Sequence, residues 1–507
     1  MNVIVTTRQG KVKGRLSDGV YVFKGIHYAA APFGAHRFLP PQPVEPWDGI
    51  HDAFEFGPKP AEVPYPPPLD VLLPEIAAPG EDCLNLNIWT AKSGAAGQPV
   101  MVWIAGGAFE HITNAACDGS RFARDGVVCV SINYRVGADG FLYLGDRIAN
   151  CGLLDQIAAL EWVRDNIAAF GGDPGNVTVF GESAGAISIA VLISIPSAQG
   201  LFRRAICQSG RAHPVLSAAA ALRIGQRFAE QLGVAATREA IATASIENAL
   251  QAQAAMSAGL AATRDFQHWG EEVVVSMMPW QPVIDGDVIP GRPIDLIAAG
   301  AAANIDLMIG TNCEEWRLFF VPNGMAALIT DAMLSVAVAA YGLPPEALST
   351  YRGALPNASD GDLLAAMMGD WYFRMPAMRL ADAHAETTTT SSTYVYEFAW
   401  RSPQFNGALG ACHGIEIPFV FDTLGSGTDL LLGTNPPQQI ADIVHAAWVA
   451  FARTGDCGWP KYDPEGRAAM RFDTRSEIVK DPWAPSRAVW EQHRTSTVAA
   501  LAKQSVP

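Results

Sequence analysis

The sequence predicts an α/β protein with a large, mostly parallel central sheet covered by helices on both faces. Three observations predict it. The runs "PVMVWI" (99–104) and "GVVCVSINY" (126–134) are almost continuously apolar, as strands buried on both faces must be. Between 126 and 208 the patterns alternate strand, helix, strand, helix, strand, the signature of parallel strands joined by crossover helices. The chain has 507 residues, 49% of them hydrophobic, enough to bury one large core. The expected organisation is a single domain over 1–507, with helical insertions at about 214–270 and 324–385 forming a cap.

The first hundred residues read as a meander of short strands, "NVIVTT" and "GVYVFKGIHYA", punctuated by Gly and Pro. A proline-rich loop follows at 58–75, an irregular surface excursion that could edge a lid. "LNLNIWT" (84–90) and the two apolar runs above are strands. "LLDQIAALEWVRDNIAAF" (153–170) carries apolar residues at helical spacing and stops at "GGDP". "NVTVF" is the next strand, "AGAISIAVLISI" a helix, "RAICQS" a strand, and "IDLMIG" (305–310) a further central strand. "TTTTSST" (387–393) is a polar loop or strand start before "YVYEFAW", and "QIADIVHAAWVAFARTG" (439–455) is a helix ending in Gly. No internal repeat is visible.

Composition narrows the function. A net charge of −16 repels phosphate backbones and anionic membranes, so neither nucleic acid nor membrane is an expected partner. The longest apolar candidate, "AISIAVLISI" (186–195), is too short to span a bilayer and reads as a buried helix. The N-terminus lacks the basic and apolar regions of a signal peptide. The eight cysteines form no zinc spacing and sit in apolar runs such as "GVVCVSINY", as small buried hydrophobes in a reducing compartment do. A cytoplasmic protein without metal or cofactor is expected, as a monomer or small homo-oligomer.

The segment "VFGESAGA" (179–186) places Ser183 in a G-x-S-x-G turn. With 47 glycines in the chain the motif alone is weak, but a strand precedes it and a helix follows, the setting of a strained, exposed nucleophile. The helix N-terminus adds partial positive charge and the Ala184 N–H for a developing oxyanion. A serine nucleophile needs a base. His384 and His445 fall inside helical patterns and His493 in a polar C-terminal stretch, whereas His413 follows the glycine-rich approach "GALGACHG" and is the best placed. The acid belongs at the carboxyl end of a strand. "IDLMIGTNCEEW" offers Asp306 at the wrong end and Glu314 and Glu315 at the right one, and periodicity does not choose between them. Gly106, Gly107 and Ala108, after the strand 99–104, form a small-residue loop whose N–H groups can approach a substrate oxygen.

With these residues assembled, the chain resembles the type-B carboxylesterases, the family that includes cholinesterases and bacterial para-nitrobenzyl esterases. "EDCLNLNIW", "NYRVGADGFL", "DNIAAFGGDPGNVTVFGESAGA", "LFRRAICQSG", "PVIDGDVIP", "GTNCEEW", "GACHGIEIPFVF" and "FARTGD" occur in the family's order over nearly the whole chain. The resemblance implies an α/β-hydrolase fold, a triad of Ser183, His413 and Glu315, oxyanion donors at Gly107, Ala108 and Ala184, and hydrolysis of a small-molecule ester by water through an acyl-enzyme. Departures from the family pattern are Ala105 before the Gly-Gly turn, Ala108 for its third glycine, Trp316 after the triad glutamate, and no disulfide partner for Cys83 in "FGPKPAEV". Phe319 matches a pocket aromatic, and Leu216 falls where cholinesterases carry a large Trp. Phe109, Leu216, Trp316, Phe319 and Phe419 are the expected pocket residues, with core packing the plainer reading of Phe419. Such a pocket suits medium-sized acyl or aryl esters. Carbamates, phthalate-type diesters and aryl amides are the alternative substrates, and a non-catalytic cholinesterase-like binding protein is the remote one.

Overall fold

The computed structural model describes residues 1–73, 78–91, 94, 97–112 and 117–492. The strands are β1 (Asn2–Thr6), β2 (Lys11–Ser17), β3 (Val20–His27), β4 (Ile50–Asp52), β5 (Asn85–Thr90), β6 (Gln98–Ile104), β7 (Val128–Ile132), β8 (Gly172–Glu182), β9 (Arg204–Gln208), β10 (Leu216–Ser217), β11 (Val283–Ile284), β12 (Asp306–Asn312), β13 (Thr393–Phe398), β14 (Ala468–Phe472) and β15 (Glu477–Lys480). Among the described residues, thirteen of them form one sheet in the order β1-β2-β3-β5-β7-β6-β8-β9-β12-β13-β14-β15, with β4 beside β2. From β7 to β14 every pairing is parallel; the flanking strands pair antiparallel, except that β4 lies parallel to β2. This is the large, mostly parallel sheet that the apolar runs predict.

The central strands are closed to water on both faces. All residues of β5, β7, β9 and β13 are buried, so both faces carry apolar side chains, and the polar ones among them find partners inside, as Asn87 does with Ser131 and Gln208 with Glu416. The helix Ala184–Leu192 is likewise buried along its whole length, so it needs no polar face. Among the described residues, no helix is long and apolar enough to cross a membrane. All eight cysteines are free, and all but Cys313 are buried.

Two local readings are corrected. The strand expected to start at Asn176 begins at Gly172 and takes in Asp173 and Pro174. The pairing jumps from Gln98–Gly172 to Val100–Val177, and Pro174 sits in that bulge, where a strand tolerates a residue without an N–H. The mostly helical stretch 214–270 opens with β10, which pairs with β11 in a separate two-stranded sheet. A two-residue strand is too short to leave an alternation in the sequence. Helices otherwise fill this stretch, the longest being Ala218–Leu232 and Ile246–Thr263, and helices also fill most of 324–385.

Topology fixes where a site can form. β6 lies between β7 and β8, so the chain leaves it to one side and then returns across it. Ligands in open α/β sheets bind at such a switch point, beyond the carboxyl ends of the strands. The register levels those ends: Ile104 pairs with Gly181, Glu182 with Gln208, and Gln208 with Gly310. The loops after β6, β8, β9 and β12 therefore emerge side by side.

Candidate active site

Ser183 stands at the tip of the turn from β8 into the helix Ala184–Leu192, with φ 53° and ψ −121°. An L-residue holds that conformation only where its surroundings enforce it. Here Ser183 N donates to Gln208 O at 2.9 Å, and Gly181 and Gly185 let the turn pass against the carbonyl of Ile104, where a β-carbon at either position would collide. Ser183 thereby stands where β8 ends and the helix N-terminus begins.

Glu315 and His413 meet beside this turn. Glu315 Oε2 lies 2.7 Å from His413 Nδ1. Its other oxygen accepts from the Ser209 hydroxyl at 2.6 Å and from the Asn312 N–H at 2.8 Å. A carboxylate only accepts, so Nδ1 carries a proton and Nε2 is the basic nitrogen of neutral His413. Glu314 faces away: it accepts from the Ala411 N–H at 2.9 Å and pairs with Arg317 and Arg401. Asp306, at the opposite end of β12, lies 3.5 Å from Arg204. His384 and His445 are buried helix residues bonded to Thr393 and Ile305 and to Val420, and His493 lies outside the described residues.

On its other edge, His413 Nε2 lies 3.0 Å from Glu182 Oε1, the residue before Ser183. The approach has the distance of an ion pair without the angle of a hydrogen bond, and Glu182 Oε1 is otherwise sealed without a donor. Burial works against the imidazolium, but Glu182 and Glu315 together outweigh it and hold the His413 pKa well above its ordinary value. Phe373 and Phe319 shield the ring, with centroids 4.5 and 5.6 Å from it.

The loop after β6 runs through positive φ at Gly107 (128°), Ala108 (54°) and Phe109 (60°). The N–H groups of Gly107, Ala108 and Ala184 have no acceptor among the described residues, so all three are available to a ligand oxygen. The loop is tied from every side. His111 N and Glu110 N donate to Gly107 O at 2.8 and 3.0 Å, Gly137 N donates to Phe109 O at 2.6 Å, and the Tyr134 hydroxyl donates to Ala105 O at 2.7 Å. From the proline-rich loop, Tyr65 stacks on His111 with centroids 3.9 Å apart, and Glu62 accepts the Ile112 N–H at 2.9 Å. Burial lowers the His111 pKa to about 4, so that ring is neutral. Glu110 accepts from the Ser257 hydroxyl at 2.8 Å, and burial raises its pKa to about 7.

A family model, described as the carboxylesterase family, matches residues 1–494. The chain belongs to that family. The para-nitrobenzyl esterase of Bacillus subtilis is 36% identical over 504 residues, covering 96% of this chain and 97% of the relative. The phenmedipham hydrolase of Pseudarthrobacter oxydans is 35% identical, covering 94% of this chain and 97% of its own. Among solved structures, the Geobacillus stearothermophilus carboxylesterase EST55 superposes with a TM-score of 0.84 at 37% identity, covering 96% of this chain and 99% of that one. This carboxylesterase is a carboxylic ester hydrolase of the α/β-hydrolase fold.

The expected pocket residues of the carboxylesterase fall in three surroundings. Phe319 stands beside His413, and Trp316 stacks on Tyr372 with centroids 4.5 Å apart. Phe109 is fully buried against Phe141, and Leu216 is buried in the same satellite core. Phe419 is fully buried and packs on Phe398 and Trp400, a core position. Sequence reasoning missed Glu182, Ser209, Glu416 and Phe373. Glu416 is a third buried carboxyl group, accepting from Gln208 and Asn312 at 3.1 and 2.7 Å, and burial, then Glu182 and Glu315, raise its pKa to about 7. A signal was available for two of them: a charged residue inside "VFGESAGA" and another inside "GIEIPFVF" are buried carboxyl groups at sight.

Proposed function

We propose that Ser183, His413 and Glu315 are the nucleophile, base and acid of an acyl-enzyme esterase, with Gly107, Ala108 and Ala184 as its oxyanion hole. The observation that carries this reading is the His413–Glu315 contact of 2.7 Å, set beside a serine held in a strained turn at the same sheet end. Ser183 Oγ adds to the ester carbonyl while neutral His413 takes its proton on Nε2. To do so, Nε2 turns from Glu182 towards the serine; catalytic hydrogen bonds commonly tighten only once substrate is bound. Glu315 holds the tautomer and stabilises the imidazolium. The tetrahedral oxyanion accepts from the three free N–H groups, each worth roughly 100- to 1000-fold in rate. His413 then protonates the leaving alcohol, and a water activated by the same nitrogen releases the acid.

The two helical stretches act as a cap over this site. In support, Phe373 reaches His413 from one of them and Ser257 reaches the loop residue Glu110 from the other. The pocket, flanked by Phe319 and Trp316, takes medium-sized acyl or aryl esters. Carbamates, phthalate-type diesters and aryl amides form the second substrate class open to the same chemistry. A cytoplasmic setting agrees with eight free cysteines.

The test is hydrolysis of p-nitrophenyl acetate or butyrate by the wild type and by Ser183→Ala. The variant is expected to be inactive, and a fluorophosphonate should label Ser183 as located by mass spectrometry. Full activity in Ser183→Ala would overturn the assignment.

A further inference from the structure

Arg211 emerges three residues beyond the carboxyl end of β9, between the strand that carries Ser183 and the strand that leads to Glu315. It is 8% exposed, and among the described residues it forms no ion pair with any carboxylate. Nη1 donates to Tyr372 O; Nε is sealed from solvent and has no acceptor. Glu315 is close enough to favour the charge, but its oxygens are taken up by Ser209, the Asn312 N–H and His413. The guanidinium instead lies over two aromatic rings, 5.1 Å from the centroid of Tyr372 and 5.4 Å from that of Phe373. Phe373 is the ring that stacks against His413, so a single aromatic side chain separates this cation from the base.

A buried cation without a carboxylate is costly, and such groups are normally paired. Burial lowers the Arg211 pKa to about 10, which still leaves it charged at neutral pH. A purely structural position on Tyr372 and Phe373 would be filled at less cost by an apolar side chain. From this we infer that Arg211 is a specificity-determining residue that pairs with a second, ionised carboxylate on the ester substrate. The inference rests on the reading of Ser183 and His413 as the reacting pair. Its substrates are half-esters and ester-linked aromatic acids, in which one carboxyl group is esterified and another is free.

Two pairs of probes distinguish which side of the ester carries the anion. Mono-p-nitrophenyl glutarate is compared with its methyl-capped diester for the acyl side, and 4-acetoxybenzoate with its methyl ester for the alcohol side. The wild type is expected to favour the free carboxylate in one pair. The ratio of kcat/KM values, anionic over capped, should fall roughly ten- to a hundredfold in Arg211→Met, the range of a hydrogen bond to a charged group, and recover in part in Arg211→Lys. No preference for the anion in either pair overturns the proposal in the wild type alone, whatever the variants do to folding. An equal loss on both members of a pair in Arg211→Met overturns it too, because it marks a structural role. Activity retained in Ser183→Ala would instead strike the nucleophile assignment, a result read separately.

Discussion

Glu182 reaches one edge of His413, with Oε1 3.0 Å from Nε2, while Glu315 holds the opposite edge at 2.7 Å. The imidazole is charged in this setting until the pH rises well above the ordinary histidine value. A general base must be neutral, so kcat/KM should climb with pH on a limb whose midpoint lies above about 6.5. Glu182→Gln removes one of the two anions and should move that midpoint down. The same raised pKa adds folding stability that is complete below about 6.5 and is lost as pH rises through the folded value, so activity and this share of stability run in opposite directions. A pH–rate profile unchanged in Glu182→Gln would show that the carboxylate does not hold the proton on His413.

Glu314 and Glu315 are neighbours in different surroundings. Glu315 is expected to orient His413, and Glu315→Gln should lower kcat by about 10³- to 10⁴-fold, as loss of the orienting acid does in other triads. Glu314 pairs with Arg317 and Arg401 near the surface. Glu314→Gln should leave kcat within about threefold and cost roughly 1 kcal/mol or less in stability. Steady-state kinetics on p-nitrophenyl butyrate separates the two, and a comparable loss in both variants would contradict the roles.

How much of this was legible in the sequence follows from what each signal depends on. The central strands and the buried helix after Ser183 were readable because burial on both faces leaves a long apolar run. The strand around Pro174 and the short β10–β11 pair were not, because a bulge and a two-residue strand leave no period. Glu314 and Glu315 sit in a turn, where side-chain direction has no periodicity, and only the resemblance to a family separated them. Phe419, Leu216 and Phe109 are all buried, and an aromatic or aliphatic residue near a site motif suits a core and a pocket wall alike, so composition does not separate the two. Glu182 and Glu416 were on the page as charges inside apolar segments. The contact of Glu182 with His413, and those of Glu416 with Gln208 and Asn312, join positions more than a hundred residues apart in the chain, which no local pattern encodes.

Glu416 makes a prediction about stability. It is fully buried and accepts from Gln208 and Asn312, with its pKa raised to about 7. For a carboxyl group raised in the fold, the native state holds the proton more tightly than the unfolded chain does. Stability should therefore decline as pH rises from about 4.5 towards 7, opposite to the usual carboxylate behaviour. Glu416→Gln cannot ionise and should flatten this decline, at the expense of one acceptor for Gln208 or Asn312. Thermal midpoints across about pH 5–8, which spans the decline towards the folded value of about 7, check it, and identical slopes in wild type and variant would refute it.

Tyr65 and Glu62 tie the proline-rich loop to the turn after β6. Tyr65 stacks on neutral His111, whose N–H closes the turn on Gly107 O, and Glu62 takes the Ile112 N–H. The Gly107 and Ala108 N–H groups can meet an oxyanion only while this turn keeps its positive φ values. Loosening it should cost transition-state binding more than substrate binding. Tyr65→Ala is expected to lower kcat about tenfold with little change in KM, and Tyr65→Phe, which keeps the stack, to restore most of it. A trifluoromethyl ketone, which binds as a tetrahedral oxyanion on the serine, should lose affinity in proportion to kcat in Tyr65→Ala. If KM rises while kcat and the ketone affinity stay constant, Tyr65 belongs to a substrate-binding lid and the oxyanion turn holds itself.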